Sequence, residues 1–576
     1  MTFDQILQQL VDTTAGTYGP FEWSAAYFRQ TFEIFMTSSL GRFSPEIILC
    51  ITIVSLLKLR LFNCDRWIPP YATALVGSIV AVGLALYQFQ TLRMSAEPVV
   101  AEFFTGLMIY DQFTVYFRLL LLIFLVLVVA LTVVSGIPDR DDGPDFYTLL
   151  FGAAVGMMMM AGANHLLILF LSIEMASVPS YAMVGFLKGR RPSSEASLKY
   201  VVYGAGSAGV MLYGLSLLTG LLGTATLISV DGSTPDLASR LGLVLAGNTA
   251  GTAASLVSNP GLTILLAILM VFVGLAFKLS IVPFHFWCPD AFEGAAAEVG
   301  GFLSVASKAG AFALLVRFCI ALTGNPDPSL AGLNLSLGIG LGVAAAVTAT
   351  FGNLAAYSQK NMKRLLAYST IAHAGYMLMA VSALVIIRGA NPSGVPGLTS
   401  AGLDAEARRC LEALLYYLAV YLFMNLGAFA IVALIRNQIF SEEIEDYRGL
   451  AGEAPVLCVC MLICLFSLVG LPPLGGFWAK LEIFASLFQA GRVHWFMWVV
   501  LGIAAVNTVF SLFYYMRVLK SMFLTERPVG ARSALVPFRS APGLYVVMVS
   551  VPVLLLGVLA GPLSQTANNV ARILLR

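Results

Sequence analysis

Apolar runs of about 20 residues, the length that crosses a hydrocarbon core of about 30 Å as a helix, recur along nearly the whole chain. They predict spans near 43–62, 71–92, 113–135, 146–162, 164–187, 197–222, 261–287 and 299–322. A second set follows near 335–356, 363–387, 411–438, 455–488, 494–522 and 542–572. The expected fold is an all-α polytopic membrane protein of about fourteen transmembrane helices. Most connections are short. The exceptions are 223–260, rich in Gly, Ser, Thr and Asn, and 388–409, which holds NPSGVPG; both read as extramembrane loops. Residues 1–42, opening with MTFDQILQQLVDTT, read as a partly amphipathic extension and not as a signal peptide, because no apolar stretch follows a basic start.

Composition agrees with the bilayer as the main solvent. Hydrophobic residues make up 59% and charged ones 11%, against about 25% charged in soluble domains, which excludes an ordinary soluble enzyme. A net charge of +2 without basic clusters removes nucleic acid as a partner. The eight cysteines form no CxxC pair, and Cys458, Cys460 and Cys464 read as small hydrophobes, so no metal or iron–sulfur site is expected. With both termini outside, the inner connections collect Lys58, Arg60, Arg66, Lys188, Arg190, Arg191, Lys360, Lys363 and Arg364, the bias that sets orientation.

Two spans are interrupted alike. KLSIVPFHFW puts Pro283 inside the seventh, and LVGLPPLGGFWAK puts Pro472, Pro473, Gly475 and Gly476 inside the twelfth. Broken helices in corresponding positions of two halves point to an inverted-repeat transporter with its site at the breaks, whereas a single break would read equally well as a proline kink.

Charges inside these spans stand out because each costs about 2.5–3.5 kcal/mol at the bilayer centre on insertion scales. Glu174 lies mid-span in the fifth helix, Lys278 precedes Pro283, Lys308 sits among small residues in the eighth, and Lys480 follows the PPLGG break with Glu482 close behind. Lys199 stands near the start of the sixth span, within reach of the interface. His373, with Tyr376, lies mid-span in the tenth and reads equally well as a structural histidine. Arg118 and Arg317 read as interface anchors. Burial favours a neutral lysine and a nearby carboxylate favours the charged one, so such pairs can exchange protons without a cofactor. The pattern implies an ion path, and the chemistry suits protons.

KLSIVPFHFWCPDAFEGA, FGNLAAYSQKNMKRLLAYSTIAHAGYM and LVGLPPLGGFWAKLEIF resemble the antiporter-like subunits of complex I. FHFWCPDAFEG, EASLKYVVYGAGSAGVMLYG and SLFYYMRVLKSMF resemble the NADH-quinone oxidoreductase subunit N family in particular, over residues 43–525. The resemblance implies three leading helices in 43–145, two inverted five-helix repeats in 146–325 and 326–525 with helices 7 and 12 broken, and a final helix in 526–576. It implies proton translocation through Glu174, Lys199, Lys278, Lys308 and Lys480 in the membrane part of an NADH:quinone oxidoreductase. NADH, flavin, iron–sulfur clusters and quinone would then belong to partner subunits, sibling antiporter-like subunits would be neighbours, and a bacterial inner membrane would be the address, with a thylakoid membrane second. The chain departs from the family pattern EGAPTPV, reading Glu293, Gly294, Ala295, Ala296, Ala297, Glu298, Val299 and so gaining an acid. An Mrp-type cation/proton antiporter shares the buried lysines but not the motif after Trp287. A structural scaffold would make the buried charges expendable.

Overall fold

The computed structural model describes residues 32–575 apart from 96, 139–141, 188, 231, 233, 248–252, 258, 324–329, 391–398 and 531. Residues 1–31 of the expected extension, Lys188, and parts of both long connections lie outside the described residues. The chain runs α1 (Ser44–Leu61), α2 (Pro70–Met94), α3 (Gln112–Ser135), α4 (Gly143–Gly162), α5 (Leu166–Val184) and α6 (Arg191–Leu222). It continues through α7 (Pro260–Leu279), α8 (Trp287–Gly294), α9 (Ala297–Thr323), α10 (Ala331–Ala356), α11 (Met362–Arg388) and α12 (Ser400–Ile439). Then come α13 (Pro455–Val469), α14 (Gly475–Val493), α15 (Phe496–Leu524), α16 (Ala541–Val558) and α17 (Ala560–Leu574).

Among the described residues, twelve helices are long and apolar enough to cross a membrane, thirteen if Ile444–Gly452 and Pro455–Val469 are one bent span. The difference from fourteen has local causes. The first expected span is the 18-residue α1, which is as apolar as several of the others but carries three charges, Glu46, Lys58 and Arg60, within its length. The twelfth is divided between α13 and α14 at the PPLGG break. The expected span 542–572 is also two helices: α16 ends at Val558, and α17 is amphipathic, burying Ala567, Val570 and Ala571 against α12. The connection 388–409 is shorter than its composition suggests, because Thr399 caps α12 by accepting from the Gly402 amide.

The short stretch after α2, AEFFTGLMIY, forms a hairpin of β1 (Ala101–Phe103) and β2 (Met108–Tyr110), which the helical pattern does not anticipate. The 223–260 connection is tied down where described. Asn164 bonds both the carbonyl and the amide of Ile228, and a short helix, Leu237–Leu245, buries Leu237, Leu241 and Val244.

Burial is uneven. The apolar windows of α9 and α11 are wholly buried and that of α12 nearly so, whereas α2, α6 and α15 present broad outer faces. The three enclosed helices are those that carry Lys308, His373 and a row of tyrosines, so the polar residues lie at the centre of the bundle.

Candidate functional site

Helix α7 stops at Leu279 because Ser280 takes a left-handed conformation (φ 60°), and α13 stops at Val469 because Gly470 does the same (φ 90°). The closing bonds match. Ile281 N–H returns to Ala276 O at 2.9 Å and Leu471 N–H to Phe466 O at 3.1 Å, the six-to-one bond that ends a helix in a left-handed residue. Both breaks therefore expose the carbonyl end of a half-helix inside the bundle.

An ammonium fills each end. Lys308 donates to Leu279 O at 2.7 Å, and Lys480 donates to Val469 O at 2.9 Å. These are the last carbonyls before the two left-handed residues, where orphan acceptors and the negative end of the helix dipole favour a cation. Lys480 also lies over the Tyr376 ring, 4.6 Å from its centroid. Lys308 follows a π-helical turn, Leu303–Ser307, which offsets it from the regular α9 face.

Lys278, on the last turn of α7, donates instead to Ser177 Oγ at 2.9 Å, whose hydroxyl donates to Ile173 O. Glu174, one turn from Ser177 on α5, is the carboxylate whose charge reaches Lys278, and among the described residues the two form no ion pair. It is half-buried and borders an outer face formed by Leu171, Met175 and Val178. Lys278, Lys308 and Lys480 are 0%, 2% and 4% exposed. Among the described residues none of these three is in an ion pair.

Lys199 belongs to a different setting. Its side chain is 42% exposed and pairs with Glu195 at 2.8 Å and Asp290 at 2.9 Å, while Arg364 bonds Asp290 and Glu293 from the other side. It stands at a charged rim and not in the buried row. Glu482 also leaves the row. Two positions after Lys480, it turns to the opposite side of α14 and faces Glu412, beside Tyr416, Trp478 and Ser564.

His373 is brought within electrostatic reach of both Lys308 and Lys480. Its Nδ1 is 2.6 Å from Tyr417 OH, and its Nε2 is 3.5 Å from Tyr515 OH. Tyr514 OH donates to Asn353 Oδ1 at 3.1 Å, and the Asn353 amide reaches Asn507 at 3.2 Å and Tyr376 OH at 3.5 Å. Hydroxyls and amides thus line the way from His373 to the Tyr376 ring under Lys480. A helical signal for part of this set was present in the sequence: Tyr417, Tyr421 and Asn425 recur every four residues in the apolar middle of α12.

Arg118 and Arg317 are not interface anchors. Arg118 pairs with Glu46 at 2.6 Å with both side chains fully buried, and Arg317 donates to Asp111 at 2.7 and 2.9 Å, to Thr114 Oγ1 and to Ala161 O. Their carboxylates come from α1 and from the residue preceding α3, and only the folded bundle brings these next to the guanidiniums.

A multi-pass bundle with two broken helices whose exposed carbonyls are each capped by a buried lysine is an antiporter-like membrane subunit. The family model described as "NADH:quinone oxidoreductase/Mrp antiporter, TM" matches residues 163–390 and 397–510. NADH-quinone oxidoreductase subunit N of Anaeromyxobacter sp. is 38% identical over 84% of this chain and 88% of its own length. Its counterpart in Chlorobium chlorochromatii is 36% identical over 85% and 86%. A chain of respiratory complex I from Thermus thermophilus superposes with a TM-score of 0.67 at 29% identity, covering 90% of this chain and 98% of that one. The chain belongs to the NADH-quinone oxidoreductase subunit N family, within the antiporter-like membrane subunits.

Proposed function

We propose that the chain is a proton-translocating membrane subunit of a complex I-type NADH:quinone oxidoreductase and that it carries no redox site of its own. Protons move through a relay of Glu174, Lys278, Lys308, His373 and Lys480, with Lys199 at the charged rim, driven by quinone reduction in partner subunits. NADH, flavin, iron–sulfur clusters and quinone are held by those partners. Sibling antiporter-like subunits are its neighbours, and the setting is a bacterial inner membrane.

The observation that carries this reading is the row of three buried lysines, each bonded, among the described residues, to a neutral oxygen and to no carboxylate. An ammonium locked in an ion pair holds its proton. One held by a hydroxyl or a carbonyl dipole can release it when a neighbouring charge changes. The charge of Glu174 reaches Lys278, and those of Lys308 and Lys480 both reach His373, so a change at one member is felt at the next. The matching caps at Ser280 and Gly470 support two repeats, helices in 146–325 and in 326–525, built on one plan.

The test uses Lys278→Ala and Lys480→Ala in the assembled complex, with proton uptake into vesicles recorded beside quinone reduction. Each substitution is expected to lower pumping by on the order of 10²-fold, the scale of a lost proton-transfer group. Unchanged pumping and turnover in both would overturn the relay.

A further inference from the structure

The acid gained in the loop motif, Glu298, is 1% exposed at the start of α9. Among the described residues, neither of its carboxylate oxygens has a well-formed hydrogen bond, the Ser135 hydroxyl and its own backbone amide being the near donors. The groups that face it are the Ser135 hydroxyl on α3, the Lys363 ammonium on α11, the Arg436 guanidinium on α12 and Tyr545 on α16. Tyr545 OH is committed to Leu127 O at 2.8 Å.

The two cations are held by another acid. Lys363 bonds Glu442 at 2.9 Å and Ala295 O at 2.6 Å, and Arg436 bonds the same Glu442 at 3.3 Å. One carboxylate therefore serves two cations, and the cluster keeps a net positive charge that Glu298 senses without touching. A carboxyl gripped by a guanidinium is fixed as an anion. A carboxyl near cations but out of contact can exist in either state, and so can pass a proton.

Polar atoms continue inward from it along the contact of α9 with α12. Gly300 and Gly301 leave room for the Phe429 ring to lie against the α9 backbone. Beyond it Asn425 Nδ2 donates to Ser304 Oγ at 2.5 Å, while among the described residues Asn425 Oδ1 and Ser307 Oγ are buried without a partner. Lys308 comes next. From 298 to 308 the helix rises about 15 Å.

We propose that Glu298 is a proton-loading residue, which takes protons from the charged mouth at Lys363, Arg436 and Glu442 and delivers them along the α9–α12 seam to Lys308. The carboxylate accepts a proton to become the acid, the acid passes it inward through Asn425, Ser304 and Ser307 with intervening water, the neutral Lys308 amine becomes an ammonium, and the carboxylate is regenerated. This inlet rests on the relay described above.

The experiment compares Glu298→Gln and Glu298→Asp with Lys308→Ala in the assembled complex, reading protons taken up per quinone reduced, the pH profile of pumping, and subunit content after purification. Glu298→Gln is expected to assemble, to pump roughly tenfold to a hundredfold more slowly, and to lose one limb of the pH profile, while Glu298→Asp regains most of the rate. If Lys308→Ala abolishes pumping and Glu298→Gln does not, the inlet is overturned and the relay stands. If Lys308→Ala also pumps normally, the relay falls and the inlet with it. Failure of both Glu298 variants to assemble would make Glu298 a structural counter-charge and overturn the proposal.

Discussion

Removing one hydroxyl, in Tyr417→Phe, separates the geometry of the relay from its charge. Tyr417 OH lies 2.6 Å from His373 Nδ1, whereas Tyr515 OH, on the other side of the ring, is 3.5 Å from Nε2 and is bonded to Ser369. His373 is 2% exposed, so the lost partner leaves a ring nitrogen unsatisfied in the bundle interior. An unsatisfied buried polar group costs about 1–3 kcal/mol. If that energy holds the ring in place near Lys308 and Lys480, its loss slows proton passage by about 5- to 150-fold, at about 1.4 kcal/mol per factor of ten. Tyr515→Phe removes a contact at the outer limit of a hydrogen bond and is expected to slow passage by less than about threefold. The assay is proton uptake into inverted vesicles driven by the complex's own electron donor, with quinone reduction followed in the same sample, and His373→Ala as the lower limit. Tyr515→Phe pumping as slowly as Tyr417→Phe, or Tyr417→Phe pumping at the parent rate, would refute the placement of His373 as a hydrogen-bonded member of the relay.

Three further outcomes follow from packing and charge. Arg317→Leu strands the buried Asp111 carboxylate and should destabilise the subunit by about 3–5 kcal/mol, while Arg317→Leu with Asp111→Leu should recover most of the loss; thermal melting of the purified complex gives the coupling, and additive effects would contradict it. A Cβ on Gly476 would lie 1.8 Å from Ser467 O. Gly476→Ala must therefore push α14 from α13 and break the Lys480 bond to Val469 O, at about 1–3 kcal/mol or more and with loss of pumping. Gly502→Ala, whose Cβ would meet nothing within 4 Å, serves as the control and should melt and pump like the parent. Asp290→Asn, which weakens a part-exposed pair with Lys199 and Arg364, should shift stability by less than about 1 kcal/mol and change pumping little by the same assay.

Much of the fold was legible because a bilayer demands long apolar helices with their backbone bonds satisfied internally. The two breaks were legible too, since proline and glycine interrupt the apolar runs at Pro283 and at Pro472 to Gly476. Where the sequence reading failed, the reason lay in distant partners. Arg118 and Arg317 look like interface anchors until Glu46 and Asp111 are brought against them. Glu482 follows Lys480 in sequence yet faces away from it, because two residues on a helix differ by about 200° in direction. The last expected span is split at Leu559, where an apolar stretch gives way to the amphipathic α17.

The sequence alone determined that this protein lives in a membrane, that its helices are broken at two places, and that lysines occupy a solvent in which a charge is expensive. Hydropathy and local backbone chemistry suffice for those statements, since each depends on residues near one another along the chain. What each lysine holds is set by helix packing. Lys308 caps the half-helix that ends at Leu279, Lys480 caps the one that ends at Val469, Lys278 rests on Ser177, and His373 is held by Tyr417 within reach of the first two charges. Those partners come from separate helices, and which carbonyl, hydroxyl or ring meets a lysine depends on how the helices pack and where their turns bring side chains to face one another.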